Sequence, residues 1–289
     1  MKEEQSSFLM QDESLPHSSM GLSEEDTANR FVAFLDIMGF KDRVARTAHD
    51  DLRGQLLDFN SRIMKHTKLN DKKIQLAQFS DSIVLFSNDD SLESLEIMAQ
   101  VSRSIMRDAI SCQIPLKGAV AQGKITCDKA KQLFFGQALI DAYLLEESIH
   151  YYGVLVHHST EASVEQLNKK NDVYFKDIKA PLKSGSIWHY ELSWYTDSAT
   201  DAATLEKTCA DLRHIRSTVS DAPRRYIDNT LWVIDEFYKT SVGDALKEGR
   251  AEGERNKQIE IARKMKQAGM DAETIARLTG LVTDEIDAL

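Results

Sequence analysis

Arg30-Phe31-Val32-Ala33-Phe34-Leu35-Asp36-Ile37-Met38-Gly39-Phe40 is the stretch on which the fold turns. Phe31 to Leu35 is a short apolar run with aromatic and β-branched residues, the pattern of a buried strand. Asp36 stands at the end of that run and Gly39 permits a turn. Downstream, Asp50 to Met64 carries apolar residues at helical spacing through Leu52, Leu56, Leu57, Phe59 and Ile63, so strand, turn and helix follow in that order.

A second strand-rich region follows. Lys73 to Phe79 and Ser82 to Ser87 flank Ser80-Asp81, which reads as the tight connection of a β-hairpin. A long amphipathic helix is expected from Ser91 to Ile110, a strand from Pro115 to Lys124, and a helix opened by Gly136 and running to about Ser148. Tyr152–His157, Val173–Asp177 and Ile187–Leu192 read as strands, with a helix over Glu161–Asn168. Local hairpins mixed with crossovers predict an α/β (α+β) sandwich, with helices covering a mostly antiparallel sheet.

The chain divides into four expected parts: a flexible N-terminal segment over 1–29, the mixed α/β domain over 30–196, a helical extension over 197–242, and a charged helix with a small helical hairpin over 243–289. Residues 1–29 are rich in Ser, Glu and Asp and lack apolar periodicity. In the extension, Leu205–Val219 and Arg224–Tyr238 predict an antiparallel helix pair joined near Pro223.

The 289 residues carry a net charge of −10, which argues against a general nucleic-acid binder because phosphate backbones demand dense Lys and Arg. The three cysteines, Cys112, Cys127 and Cys209, are far apart and lack metal-ligand spacing, as expected of reduced thiols in a cytoplasmic protein. The N-terminus shows no basic start followed by an apolar run, and no run of ~18 apolar residues occurs, so neither a secretory signal nor direct membrane contact is expected.

The chemistry candidate is the pair Asp36 and Asp81. An isolated Asp at a strand end is most often a turn former or cap. Two carboxylates in one apolar cleft repel unless cations lie between them, and Mn²⁺ or Mg²⁺ would remove that repulsion. Two such ions hold a triphosphate and stabilise a leaving pyrophosphate.

Phe34-Leu35-Asp36-Ile37-Met38-Gly39-Phe40 resembles the class III nucleotidyl cyclase signature F-x-D-I-x-G-F. Phe79-Ser80-Asp81-Ser82 is similar to that family's metal-binding hairpin, Lys117 to Gly123 to its R-I-G-I-H-T-G strand, and Phe135 to Glu146 to its W-G-x-x-V-N-x-A-x-R-L-E helix. Within the family, the Phe-Ser-Asp-Ser hairpin, the segment Phe134 to Tyr143, Pro181-Leu182-Lys183-Ser184-Gly185 and Arg225 to Thr230 look most like the bacterial Pycsar pyrimidine cyclases. The resemblance implies synthesis of cyclic UMP, or less readily cyclic CMP, from the triphosphate with two Mn²⁺ or Mg²⁺ ions. It also implies a homodimer and an antiphage effector reached through the product.

The same resemblance implies roles for residues. Asp36, Asp81 and the Ile37 carbonyl would hold the metals, and backbone N–H groups from Met38 to Lys41, including Phe40 and Lys41, would cradle phosphates. Base choice falls to the strand before Asp81, where alternation puts Gln75, Ala77 and Phe79 on Asp81's face. Gln75 and Ala77 do not match the charged purine readers of the family, and a neutral amide suits a pyrimidine edge. On the Gly136 helix, the family's Asn and Arg are replaced by Ile140 and Leu144, which cannot offset charge on phosphorus. Lys117, Lys179 and Lys183 are the candidate substitutes, each weighed against the ordinary reading of a solvated surface lysine. An alternative reading is therefore a cyclase-fold protein that binds nucleotide without turnover.

Met270 to Leu289 has the look of a small helix-turn-helix around Gly280. Its second helix lacks basic residues and contains Asp284, Glu285 and Asp287, so a docking or oligomerisation module fits better than a DNA reader.

Overall fold

The computed structural model describes residues 27–70, 73–128, 130–170, 173–196, 202–267 and 269–289. The elements in chain order are β1 (Thr27–Ile37), α1 (Phe40–Arg46), α2 (His49–Lys68), β2 (Ile74–Phe79), β3 (Ser82–Ser87), α3 (Leu92–Ser111), β4 (Leu116–Asp128), β5 (Leu133–Gly136), α4 (Gln137–Ser148), β6 (Val154–Val156), α5 (His158–Lys170), β7 (Phe175–Leu182), β8 (Gly185–Leu192), α6 (Ala202–Thr218), α7 (Asp221–Gln267), α8 (Ala272–Thr279) and α9 (Thr283–Asp287).

Eight strands form one sheet in the order β2-β3-β1-β4-β6-β8-β7, with β5 paired to β4. Every pairing is antiparallel except β4 with β6. This is the expected α+β sandwich, with a helical C-terminal extension. Alternation along β1 assigns its two faces. Phe31, Ala33, Leu35 and Ile37 join the main core with Phe59 and Ile63 of α2 and Leu95 and Met98 of α3. Val32 and Phe34 join a smaller cluster with Val84, Phe86, Phe134 and Ala138 on the opposite face, where α4 lies. Burial of each large side chain at the centre of β1 contributes roughly 1.5–3 kcal/mol.

Two junctions set the position of α4. Gly136 closes β5 at φ 158°, and a Cβ there would stand 2.4 Å from the Lys124 carbonyl oxygen. The chain passes so close to β4 that glycine alone fits without displacement. At the other end of α4, α7 grips the returning chain. The Thr230 hydroxyl accepts from the Tyr152 N–H at 2.8 Å, and the Asn229 amide donates to the His150 carbonyl at 2.7 Å.

Three expected boundaries move. Residues 1–26 of the expected flexible segment lie outside the described residues, but Thr27–Asn29 belong to β1, because they pair with Lys124–Thr126 of β4. The break expected at 243 does not occur: α7 is a single 47-residue helix from Asp221 to Gln267. The glycines at 243, 249 and 253 weaken helix propensity without ending the helix. Pro223 does not join the helix pair but sits in the first turn of α7, where its missing N–H is harmless. Gly280 does mark a helix end, capping α8 in the left-handed conformation at φ 76°. Among the described residues, no helix is long and apolar enough to cross a membrane.

Candidate functional site

Asp36 is paired on one side with Ser82 of β3 and on the other with Lys117 of β4. Cross-strand partners share a face, so all three side chains stand on the side of the sheet covered by α4. The Ser82 hydroxyl donates to Asp36 Oδ1 at 3.0 Å. Asp81 is the second residue of the two-residue turn joining β2 to β3, reached through Ser80 in the left-handed region at φ 55°. Its backbone carbonyl accepts from the Ile37 N–H at 3.0 Å, which fastens the end of β1 to the tip of the hairpin.

Lys117 is buried and makes an ion pair with Glu146 of α4 at 2.7 Å, while also donating to the Glu146 carbonyl at 2.6 Å. Burial, then the negative charges of Glu146 and Asp81, push the Asp36 carboxyl up to about 6; the Ser82 hydrogen bond and the Lys117 ammonium oppose this. Burial lowers the affinity of Lys117 for its proton and raises that of Glu146.

These charges test whether a divalent cation fits. Asp36 carries negative charge that its neighbours repel more than they offset, and the donors are hard oxygens of the kind Mg²⁺ and Mn²⁺ select. A cation between Asp36 and Asp81 would relieve that repulsion. Among the described residues, no three His, Cys, Asp or Glu side chains gather as a metal cluster. Asp36, Asp81 and the Ile37 carbonyl would supply part of the octahedral oxygen shell that Mg²⁺ takes.

The other expected site residues divide. Gln75, Ala77 and Phe79 stand on the face of Asp36, since they pair with Phe86, Val84 and Ser82, while Asp81 lies in the turn beyond the ladder. Gln75 is held by the Asn88 side chain at 2.8 Å, and Ala77 is buried in the small core cluster. Phe40 does not turn toward this face: its side chain packs against the main core. The Met38 N–H is committed to the Pro115 carbonyl at 2.9 Å, which removes it from the expected phosphate cradle. Gly39 and the start of α1 follow it directly, and Lys41 is exposed there. Lys117 is not a free cation, because Glu146 holds it. Lys183 is exposed at the tight turn between β7 and β8, and its charge reaches Glu146, Lys117 and His150. Lys179 is also exposed, on β7. Ile140 and Leu144 stand 50% and 55% exposed on α4.

Sequence reasoning missed Ser82 and Glu146 as parts of the site. Ser82 was reachable from the hairpin register. Glu146 lies ten residues past Gly136, and nothing local in the sequence pairs it with Lys117.

Comparison with known proteins adds three findings. Residues 255–289 match the model described as Rpn/YhgA-like nuclease family, C-terminal HTH domain. No curated protein matches the chain. Solved cyclase domains are similar to it.

The guanylate cyclase domain of RhGC from Catenaria anguillulae, solved in complex with GTP, is 13% identical with a TM-score of 0.46, covering 57% of this chain and 96% of that one. The adenylyl cyclase CyaB from P. aeruginosa is 17% identical with a TM-score of 0.43, covering 61% of this chain and 97% of that one. A bacterial light-regulated adenylyl cyclase is 13% identical, also with a TM-score of 0.43, covering 63% and 98%.

Proposed function

We propose that residues 30–196 form a pyrimidine nucleotide cyclase that converts UTP, or less readily CTP, to the 3′,5′-cyclic mononucleotide and pyrophosphate. The observation that carries this reading is the placement of Asp36 and Asp81 at adjoining ends of paired strands, tied by the Ile37–Asp81 backbone hydrogen bond. Asp36, Asp81 and the Ile37 carbonyl would hold Mn²⁺ or Mg²⁺, which when bound supplies charge neutralisation for the triphosphate and acidifies the attacking hydroxyl.

The chain's own contribution is positioning and fixed charge. Ser82 orients the Asp36 carboxylate, and the Lys117–Glu146 pair fixes α4 beside it. The backbone N–H groups of Phe40 and Lys41, in the first turn of α1, are assigned to cradle the phosphates. Lys183, exposed and unencumbered by any ion pair among the described residues, is the residue assigned to offset charge on phosphorus. Gln75 is assigned to the pyrimidine edge. Ile140, Tyr143 and Leu144 of α4 leave apolar surface on the Asp36 side of the sheet, which suits a homodimer. The cyclic product would reach a separate effector in antiphage defence.

A second reading has its own observation. With Ile140 and Leu144 apolar and Lys117 occupied, the chain would bind nucleotide without turnover. Incubation of the purified protein with each of the four NTPs and Mn²⁺, followed by mass spectrometry, separates the two. Cyclic UMP or cyclic CMP, lost in Asp36→Ala and Asp81→Ala, supports turnover. Nucleotide binding with no cyclic product supports the second reading.

Residues 255–289 are assigned to docking or oligomerisation. α9 has five residues, and Asp284, Glu285 and Asp287 would repel a phosphate backbone. Duplex DNA retarded by the full chain, in a salt-dependent way that is lost on deleting 243–289, would replace this with DNA binding.

A further inference from the structure

The sheet path ends in β2 on one side and β7 on the other. An end strand presents unpaired main-chain groups, and proteins commonly blunt such an edge with lysine, proline or other charge. β7 is blunted, since it carries Lys176, Asp177, Lys179 and Pro181. β2, Ile74-Gln75-Leu76-Ala77-Gln78-Phe79, has neither a charged residue nor a proline.

Alternation divides the main chain of β2. The Asn88 N–H donates to the Lys73 carbonyl at 2.9 Å, which turns Lys73 toward β3. Steps of two then turn Gln75, Ala77 and Phe79 toward β3, and Leu76 and Gln78 outward. The Ile74 N–H goes to the Asn70 carbonyl at 2.8 Å. Among the described residues, no strand pairs with β2 on its outer side. Leu76 and Gln78 therefore offer their N–H and C=O groups to an incoming strand.

The charge and register of β2 select a second copy of itself. A net charge of −10 sets two copies against each other over most of their surface, whereas Ile74 to Phe79 is uncharged. A two-fold axis through Ala77, perpendicular to the sheet, keeps matching faces together. It puts Leu76 opposite the partner's Gln78, Gln75 opposite the partner's Phe79, and Ala77 opposite the partner's Ala77. The small Ala77 leaves the axis uncrowded. Phe79 is 49% exposed and packs edge-on against Phe134; this register covers it with the partner's Gln75, a side chain that Asn88 holds in place. The same register brings Lys73 toward the partner's Ser80-Asp81 turn, a positive charge toward a negative one.

We infer that β2 is an interface through which two copies of this chain join edge to edge into one continuous antiparallel sheet. It is separate from the α4 surface, so a chain that uses both contacts assembles beyond a dimer. The contact also sets the partner's Phe79 beside Gln75, the residue assigned to the pyrimidine edge. That consequence rests on the proposed nucleotide site; the contact itself does not.

The test uses the full chain without nucleotide, carrying Ile140→Glu and Leu144→Glu to remove the α4 contact. Sedimentation velocity is expected to show a dimer. Adding Gln78→Pro deletes an N–H that β3 does not use, and proline is tolerated at such an edge position. Gln78→Lys instead places charge on the edge. Each is expected to weaken the dimer tenfold or more, and circular dichroism verifies that both fold. A second measurement reads the register. Ala77 would face the partner's Ala77 as a non-hydrogen-bonded pair with Cα atoms about 4.5 Å apart, within the roughly 4.4–6.8 Å that a disulfide spans. Gln75 would stand roughly 13 Å from the partner's Gln75, beyond that reach. Mild oxidation is expected to link Ala77→Cys into a dimer on a non-reducing gel, and to leave Gln75→Cys like the parent with its Cys112, Cys127 and Cys209. A monomer in the first measurement, which would leave the edge to a strand of another protein, would overturn the interface. So would a dimer that both Gln78 variants leave intact, or equal linking of the two cysteine variants. Failure of the NTP assay, or of the α4 contact, leaves both measurements intact.

Discussion

Lys117 and Glu146 form a buried ion pair at 2.7 Å that joins the strand beside Asp36 to the helix covering it. Removing one partner leaves the other charge in a site that water does not reach. Lys117→Met is expected to lower unfolding free energy by about 3–5 kcal/mol, and Lys117→Met with Glu146→Leu to recover most of it. Urea denaturation of the two variants measures the difference. Equal destabilisation in the single and double variants would show that the pair does not act as a unit.

The Asp36 carboxyl is raised to about 6, chiefly by burial, with the Ser82 hydrogen bond acting in the other direction. Ser82→Ala removes a bond that favours the ionised form, so protonation of Asp36 should move further upward. Carbon-13 NMR of the labelled carboxyl, without divalent ions, reads the midpoint directly. An unchanged or lowered midpoint would contradict the assigned role of Ser82.

Glu191 is buried beside Tyr151 and Tyr195, accepting from the Tyr195 hydroxyl at 3.1 Å, and burial raises it from 4.5 to about 8. The folded state keeps this proton over a pH range in which the unfolded chain has released it. Below about 4.5 both states are protonated and the group is neutral in its effect. Between 4.5 and 8, stability should fall as pH rises, by up to about 1.4 kcal/mol per unit. Glu191→Gln should remove this dependence, leaving the variant more stable relative to the parent at pH 8 than at pH 5. Denaturation at both values decides; parallel pH profiles would refute it.

Gly136→Ala places a methyl 2.4 Å from the Lys124 carbonyl oxygen and 2.6 Å from the Ile125 Cα, both of them backbone atoms. Overpacking against atoms that cannot rotate away is expected to cost about 1–3 kcal/mol or more. Gly54→Ala, on α2 with open space around it, is expected to be neutral or stabilising. The two melting temperatures, compared with the parent, check the contrast.

Much of the architecture was legible because its signals were local. The apolar run Phe31–Leu35, the turn at Gly39, the Ser80-Asp81 hairpin and the Gly280 cap each depend on a few neighbouring residues, and each appears where expected. The length of α7 was not legible, since a helix of 47 residues carries glycines that read as interruptions. The site was legible as far as Asp36 and Asp81 being brought near one another, because register follows from the hairpin. The engagement of Lys117 was not, because its partner lies 29 residues away on another element, and nothing in the spacing of a lysine and a glutamate foretells a shared burial.

The hydrogen bond between the Ile37 N–H and the Asp81 carbonyl has an effect on tolerance to change. Because the two carboxylates hang from main chain that is stitched together, the gap between them is gauged by the spacing of neighbouring strands and not by the identity of surrounding side chains. Exposed residues of α4 such as Ile140 and Leu144 can therefore change without moving the pair, whereas Glu146, which holds Lys117, cannot. A chain that keeps this stitch keeps the spacing of the pair, whatever side chains come to surround it.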